Sequence, residues 1–196
     1  MYPRKLITAP TSEPISLAEA RAHLNDPPPQ DDALISAIIS TARQWIEDVT
    51  GRLLMTQTWD VYLPAFPCDE DIDLPFGPLQ SVTYLKYTDS ANAETTFSSA
   101  YYHVDTISEP GEIVLAYQQV WPTATLKTSN PIVIRAVFGY ASAALVPAPL
   151  RQAILLLIEH YYTNRGLVVI SDRAGARDVE LPMSVSALIA PYRLWV

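Results

Sequence analysis

The clearest periodic pattern in the chain is "DDALISAIISTARQWIEDVTGR". At about 100° per residue, Leu34, Ile35, Ile38, Ile39, Ala42, Trp45, Ile46 and Val49 fall within an arc of roughly 140°. Ser36, Ser40, Arg43, Gln44, Glu47 and Asp48 fill the other side. Asp31 or Asp32 is placed to cap the start and Gly51 to close the end. The pattern predicts a one-sided helix lying on a core. A shorter helix precedes it in "EPISLAEARAHLND", from about Leu17 to Leu24, with Ser16 and Glu19 spaced as a capping box. The prolines of "NDPPPQDD" stop that helix.

"VPAPLRQAILLLIEHYYTNRG" predicts a third helix, entered at Pro147 and Pro149 and left at Gly166. Leu150, Ile154, Leu155, Leu157, Ile158, Tyr161 and Tyr162 form a stripe about 160° wide. Leu156 falls outside it, among Gln152, Glu159, His160 and Thr163. Those residues are a candidate second contact, although a single exposed leucine is ordinary on any surface. "LVVISDRAGARDVELP" reads as a loop whose "LVVIS" is able to pair as a strand. "SVSALIAPYRLWV" predicts a short helix, Ser184 to Ala190, and a tail rich in aromatic and apolar residues.

Between the second and third helices the rhythm changes. "LLMTQTWDVYL", "SVTYLKYTD", "YYHVD", "EIVLAY" and "PIVIRAVFGY" are rich in β-branched and aromatic residues and are separated by turn-forming stretches. About five or six strands are expected, mostly antiparallel because the connections are short. The pattern divides the chain into residues 1–52 and 146–196, helical, and residues 53–145, β-rich.

Charge sharpens this division. From Asp60 to Glu112, ten acidic residues stand against one basic residue, Lys86, while the rest of the chain carries twelve basic and eleven acidic residues. A segment this acidic gains nothing from counterion release at a phosphate backbone. Its plainest reading is a solvated face that maintains solubility. The single cysteine, Cys68, excludes an internal disulfide framework and a cysteine-cluster metal site. No stretch approaches the ~18 unbroken apolar residues of a membrane span. The chain therefore reads as a protein made and used inside a cell, or carried out in a particle.

The chemistry of catalysis is missing from the sequence. His23, His103 and His160 share no metal-ligand spacing, and none neighbours Cys68. The six glycines form no phosphate-binding loop. The carboxylates of "DEDID" read as a charged turn more readily than as an acid–base pair. No predicted helix carries the row of cations that reads nucleic acid, and Arg173 and Arg177 lie in the late loop. No enzyme activity, cofactor or metal is expected.

Four stretches together resemble the head–tail connector, or adaptor, proteins of tailed phages, prophages and gene transfer agents. They are "ITAPTSEPISLAEARAHL", "ALISAIISTARQWIEDVTGRLLMTQTWDVYL", "VPAPLRQAILLLIEHYYTNR" and "LIAPYRLW". The resemblance implies an α+β chain: a small helical bundle with an inserted antiparallel β-rich segment. It implies a virion protein of the head–tail neck that forms a ring of about twelve copies with heterologous, closing contacts. Its partners would be the portal protein, a stopper or tail protein, and DNA passing through without sequence-specific binding. On that footing Leu156, Gln152, Glu159 and His160 are candidates for the subunit interface. Arg173, Arg177, Tyr192, Arg193, Leu194 and Trp195 are candidates for portal or partner contact. Asp69, Glu70, Asp71 and Asp73 are candidates for lining the channel. Two other readings stay open. A stopper or tail terminator is opposed by the two strong helices, and a hydrolase or nucleic-acid-processing enzyme by the missing constellation.

Overall fold

A computed structural model describes residues 2–164 and 183–194. The chain is α+β, richer in sheet than a helical bundle, and divides into two compact units. One contains Ser12–Thr50 and Ser142–Arg193; the other contains Met1–Thr11, Gly51–Ala141 and Leu194–Val196.

The first unit holds the helices α1 (Leu17–His23), α2 (Asp32–Thr50), α3 (Ala148–Thr163) and α4 (Met183–Ile189). The capping box of α1 forms as its sequence predicts. The Ser16 hydroxyl accepts from the Glu19 amide at 3.2 Å, and Glu19 Oε2 accepts from the Ser16 amide at 2.8 Å. The apolar sides of α2 and α3 bury Ile35, Ile39, Ala42, Ile46, Leu150, Ala153, Ile154, Leu157 and Ile158, joined by Val185 and Ile189 of α4.

The face of α2 differs from the expected one in an informative way. Leu34 is exposed, while Arg43 and Glu47, assigned to solvent by the wheel, are buried. The helix is covered on a second flank, and charge is tolerated there because it is paired. Arg43 Nη1 donates to Glu47 Oε2 at 2.6 Å, one helical turn on, and Arg43 Nε donates to Glu13 Oε2 at 2.7 Å. A guanidinium shared between two carboxylates offsets the desolvation of all three.

The second unit is built from two antiparallel sheets. The larger has the order β1-β2-β8-β4-β5, from β1 (Arg4–Thr8), β2 (Gln57–Leu63), β8 (Ile132–Phe138), β4 (Leu79–Thr88) and β5 (Glu94–Phe97). The smaller has the order β3-β7-β6, from β3 (Asp71–Asp73), β7 (Glu112–Leu115) and β6 (Tyr102–Asp105). The sequence pattern shows β2, β4, β6, β7 and β8 but misses β1, β3 and β5. Each missed strand is short and lies at a sheet edge, and β3 and β5 begin inside stretches whose acidic and small residues signal turns. Strand β8 is central. Ile132, Ile134, Ala136 and Phe138 alternate inward and are fully buried against Val61, Leu63, Leu79 and Leu85. Aromatic rings close one end of this core: Phe66 stacks on Trp121 at 5.4 Å and Phe97 on Tyr102 at 5.9 Å.

Gly139, just after β8, has φ +97°, and a β-carbon there would stand 2.1 Å from the Met55 carbonyl oxygen. Only glycine fits where these two backbones approach.

Arg43→Met leaves the buried Glu47 without its cation, and Glu47→Leu leaves the buried Arg43 with only the partly exposed Glu13. Glu47→Leu or Arg43→Met alone should each destabilise the protein by about 3–5 kcal/mol, and the Arg43→Met/Glu47→Leu pair by clearly less. Chemical denaturation of the three variants checks this; equal or additive losses would contradict it.

Candidate assembly surfaces

In the helical unit, Leu156 sits half-buried on α3 in a shallow depression that it lines with Glu159, His160, Thr163 and Asn164. Gln152, one turn earlier, is exposed. Thus the structure groups Leu156, Glu159 and His160 on one patch. Part of that patch is already engaged: His23 Nε2 of α1 stands 3.3 Å from Glu159 Oε2, an ion-pair distance. The Asn164 side chain donates to the His160 carbonyl at 2.9 Å and closes the helix end. A neighbour meeting this patch would find one apolar side chain framed by fixed polar groups.

The carboxylates of "DEDID" have a structural explanation. Asp71 and Asp73 lie on one face of β3, two residues apart, while Ile72 between them is buried. Strand β7 brings Glu112 opposite Asp73, and β6 brings Asp105 opposite Glu112. Carboxylate oxygens of Asp71, Asp73 and Glu112 lie within 4.8 Å of one another. Glu112 is pushed above the usual carboxylate range, first by partial desolvation, then by the charges of Asp73, Asp71 and Asp105. Asp105 is held below it, because the Ser108 hydroxyl and the Ile107 and Ser108 amides all donate to its carboxylate. Oxygen donors at this spacing are hard ligands suited to a divalent cation. Exposed carboxylates on paired strands are equally what a solvated acidic face requires. Asp69 and Glu70 precede β3 and are exposed; their backbone carbonyls accept from the Trp121 indole and the Leu115 amide, both at 2.8 Å.

Among the tail candidates, Arg193 is exposed and Tyr192 half-buried. Leu194 lies against the sheet unit: its side chain comes within 2.9 Å of where a β-carbon on Gly77 would stand, and 3.4 Å of that on Gly51. The two glycines leave the space it fills. Arg173, Arg177 and Trp195 lie outside the described residues.

Sequence reasoning missed two apolar surfaces. Leu6 and Ile7 on β1 are 41% and 38% exposed. Tyr117 and Val120, in the loop after β7, are 89% and 75% exposed, beside Tyr101 at 45%. Nothing in a lone "YQQVW" distinguishes an outward tyrosine from a core one; only the anchoring of Trp121 does.

The family model described as "Phage gp6-like head-tail connector protein" matches residues 14–120. The chain belongs to that family. It is a structural head–tail connector protein. The match covers α1, α2 and strands β2 to β7, including the acidic segment. Solved structures match over nearly the whole length. A chain in the virion of a native gene transfer agent (GTA) particle is 26% identical with a TM-score of 0.77, covering 98% of this chain and 96% of that one. A chain in the neck of an empty GTA particle, computed with C6 symmetry, gives 26% and 0.76 at the same coverage. One in the neck of a native GTA particle, computed with C12 symmetry, gives 25% and 0.71, again at that coverage. No curated protein matches the chain at a significant level.

The acidic face generates a signed pH prediction. A carboxylate raised by its neighbours destabilises the fold when ionised, and that cost grows as pH rises through its folded pKa. At neutral pH and low salt, Glu112→Gln should therefore melt above the unmodified protein. The gap should narrow as pH falls through the raised pKa of Glu112, where its carboxyl becomes as neutral as the amide, and in high salt, which screens the neighbouring charges. A lower melting temperature for Glu112→Gln at neutral pH would contradict the repulsion.

Proposed function

We propose that about twelve copies of the chain form a ring in the neck of a phage-like or gene transfer agent particle. The ring docks under the portal, extends the DNA channel, and offers its far side to a stopper or tail protein. The observation that supports this best is the end-to-end likeness to neck chains in structures computed with C6 and C12 symmetry, combined with membership of the connector family. In a closed ring each contact is heterologous: one flank of a copy meets a different flank of the next. The helices α1–α4 serve as the connector bundle, and the β-rich segment is an insertion in its sequence. The protein works by contact and not by catalysis, a reading supported by its connector family and by its likeness to a chain of a gene transfer agent virion.

Within this reading, Leu156 with Gln152, Glu159 and His160 forms one subunit contact. Tyr192 and Arg193, with Arg173, Arg177, Leu194 and Trp195, contribute to portal or tail contact. The carboxylates of Asp71 and Asp73, reinforced by Glu112, line the channel, with Asp69 and Glu70 at its margin. A negative wall does not hold a phosphate backbone, so DNA slides past it.

Quantitative mass spectrometry of purified particles tests the proposal. About twelve copies per particle are expected, and Leu156→Asp should reduce incorporation at least severalfold without unfolding the free protein. Absence of the unmodified chain from particles, or copy numbers in the hundreds, would refute a neck ring. Normal incorporation of Leu156→Asp would remove the α3 patch from the interface.

A further inference from the structure

The loop after β7 is built to present apolar side chains to something outside the chain. Its start is pinned where the Ala116 amide donates to the Tyr101 carbonyl at 2.9 Å. A tight turn follows, with the Gln119 amide donating to the Ala116 carbonyl at 2.9 Å and Gln118 at φ +59°. Its end is pinned by Trp121, buried between Phe66 and Phe97 with its indole N–H donating to the Asp69 carbonyl at 2.8 Å. Between these anchors Tyr117 and Val120 face water, with Tyr101 beside them and the exposed acidic residues Asp69 and Glu70 alongside. A tip ordered before binding loses little conformational entropy on docking, and tyrosine is among the residues that most often anchor interfaces.

A complementary surface exists on the same chain. Strand β1 is hydrogen-bonded on one side only, exposes Leu6 and Ile7, and carries Arg4 and Lys5. In strand order it is one edge of the five-stranded sheet, and β5, whose Phe97 packs on Tyr101 and Trp121 beside the tip, is the other. An edge with exposed apolar residues is a liability unless something covers it. One surface is apolar with a negative margin and the other apolar with a positive margin, and they belong to different edges of one unit. A head-to-tail contact between identical copies requires that arrangement.

We propose that the Tyr117–Val120 tip of one copy, flanked by Asp69 and Glu70, docks on Leu6 and Ile7 of β1 in the next copy, with Lys5 facing the carboxylates. The inference rests on the ring reading and assigns it a second subunit contact, on the sheet unit. It leaves Asp71, Asp73 and Glu112 to the channel.

The test uses particles assembled with the full-length chain carrying Cys68→Ser, Ile7→Cys and Tyr117→Cys. Mild oxidation should yield a covalent ladder extending beyond dimers, because every copy holds both halves of the contact. With Ile7→Cys or Tyr117→Cys alone the chain should run as a monomer. Dimers from a single-cysteine version, a disulfide to a different protein, or no ladder from particles that contain the chain would overturn this contact while leaving the ring intact. Failure of the unmodified chain to enter particles would instead remove the ring. If only the triple variant stays out, a charge exchange decides. Lys5→Glu should lower incorporation about tenfold, and adding Glu70→Lys should restore it, since like charges facing each other oppose docking. No restoration would overturn the contact.

Discussion

The sheet unit depends on β8. It is paired along its whole length with both β2 and β4, and its alternate residues supply the centre of the core. Because side chains alternate with a period of two, a slip of one residue would turn Ile132, Ile134, Ala136 and Phe138 to water. Register is therefore fixed by burial. The opposite face then acquires its own order: the buried Asp60 and the half-buried Arg135 are directly opposite and form a two-point ion pair at 2.7 and 2.8 Å, which raises the arginine's affinity for its proton. The assembly surfaces proposed on the sheet unit hang from this scaffold. Strand β1 is an edge because β2 and β8 are not, and the Tyr117 loop is held out because Trp121 is held in.

The helical unit solves a different problem. Its helices bury wide apolar stripes, and the additional covered flank of α2 is occupied by a salt-bridged triad in place of hydrocarbon. Such a triad adds little net stability but admits few alternative partners for its members. A subunit that repeats around an axis benefits from positions that are defined as well as stable, since a small misplacement recurs at every contact.

Much of the fold was legible because burial imposes period. The capping box of α1, the extents of α2 and α3, and the central strands each follow from residues whose spacing has one physical meaning. Arg43 and Glu47 were misplaced because a helical wheel reports polarity, whereas burial depends on what lies across from it. Strands β1, β3 and β5 were missed because edge strands need only one partner and carry polar residues like a turn. The family was legible from segments at both ends of the chain, while the family match itself runs through the acidic middle to residue 120. The surfaces were least legible. Leu156 stood out because it breaks a stripe, but Tyr117, Val120, Leu6 and Ile7 are exceptional only for their exposure, and exposure is a property of the fold.

The central claim is positional: the chain works as one of many identical neighbours around the axis joining head to tail. Cryo-electron microscopy of the portal vertex of intact particles tests it most directly. The account predicts a closed ring of these chains between portal and tail, with the acidic strands β3 and β7 turned toward the axis and the sheet units touching through β1. Density that places the chain in the capsid shell or at the tail tip, or a ring in which β3 and β7 face outward and β1 touches nothing, would contradict it.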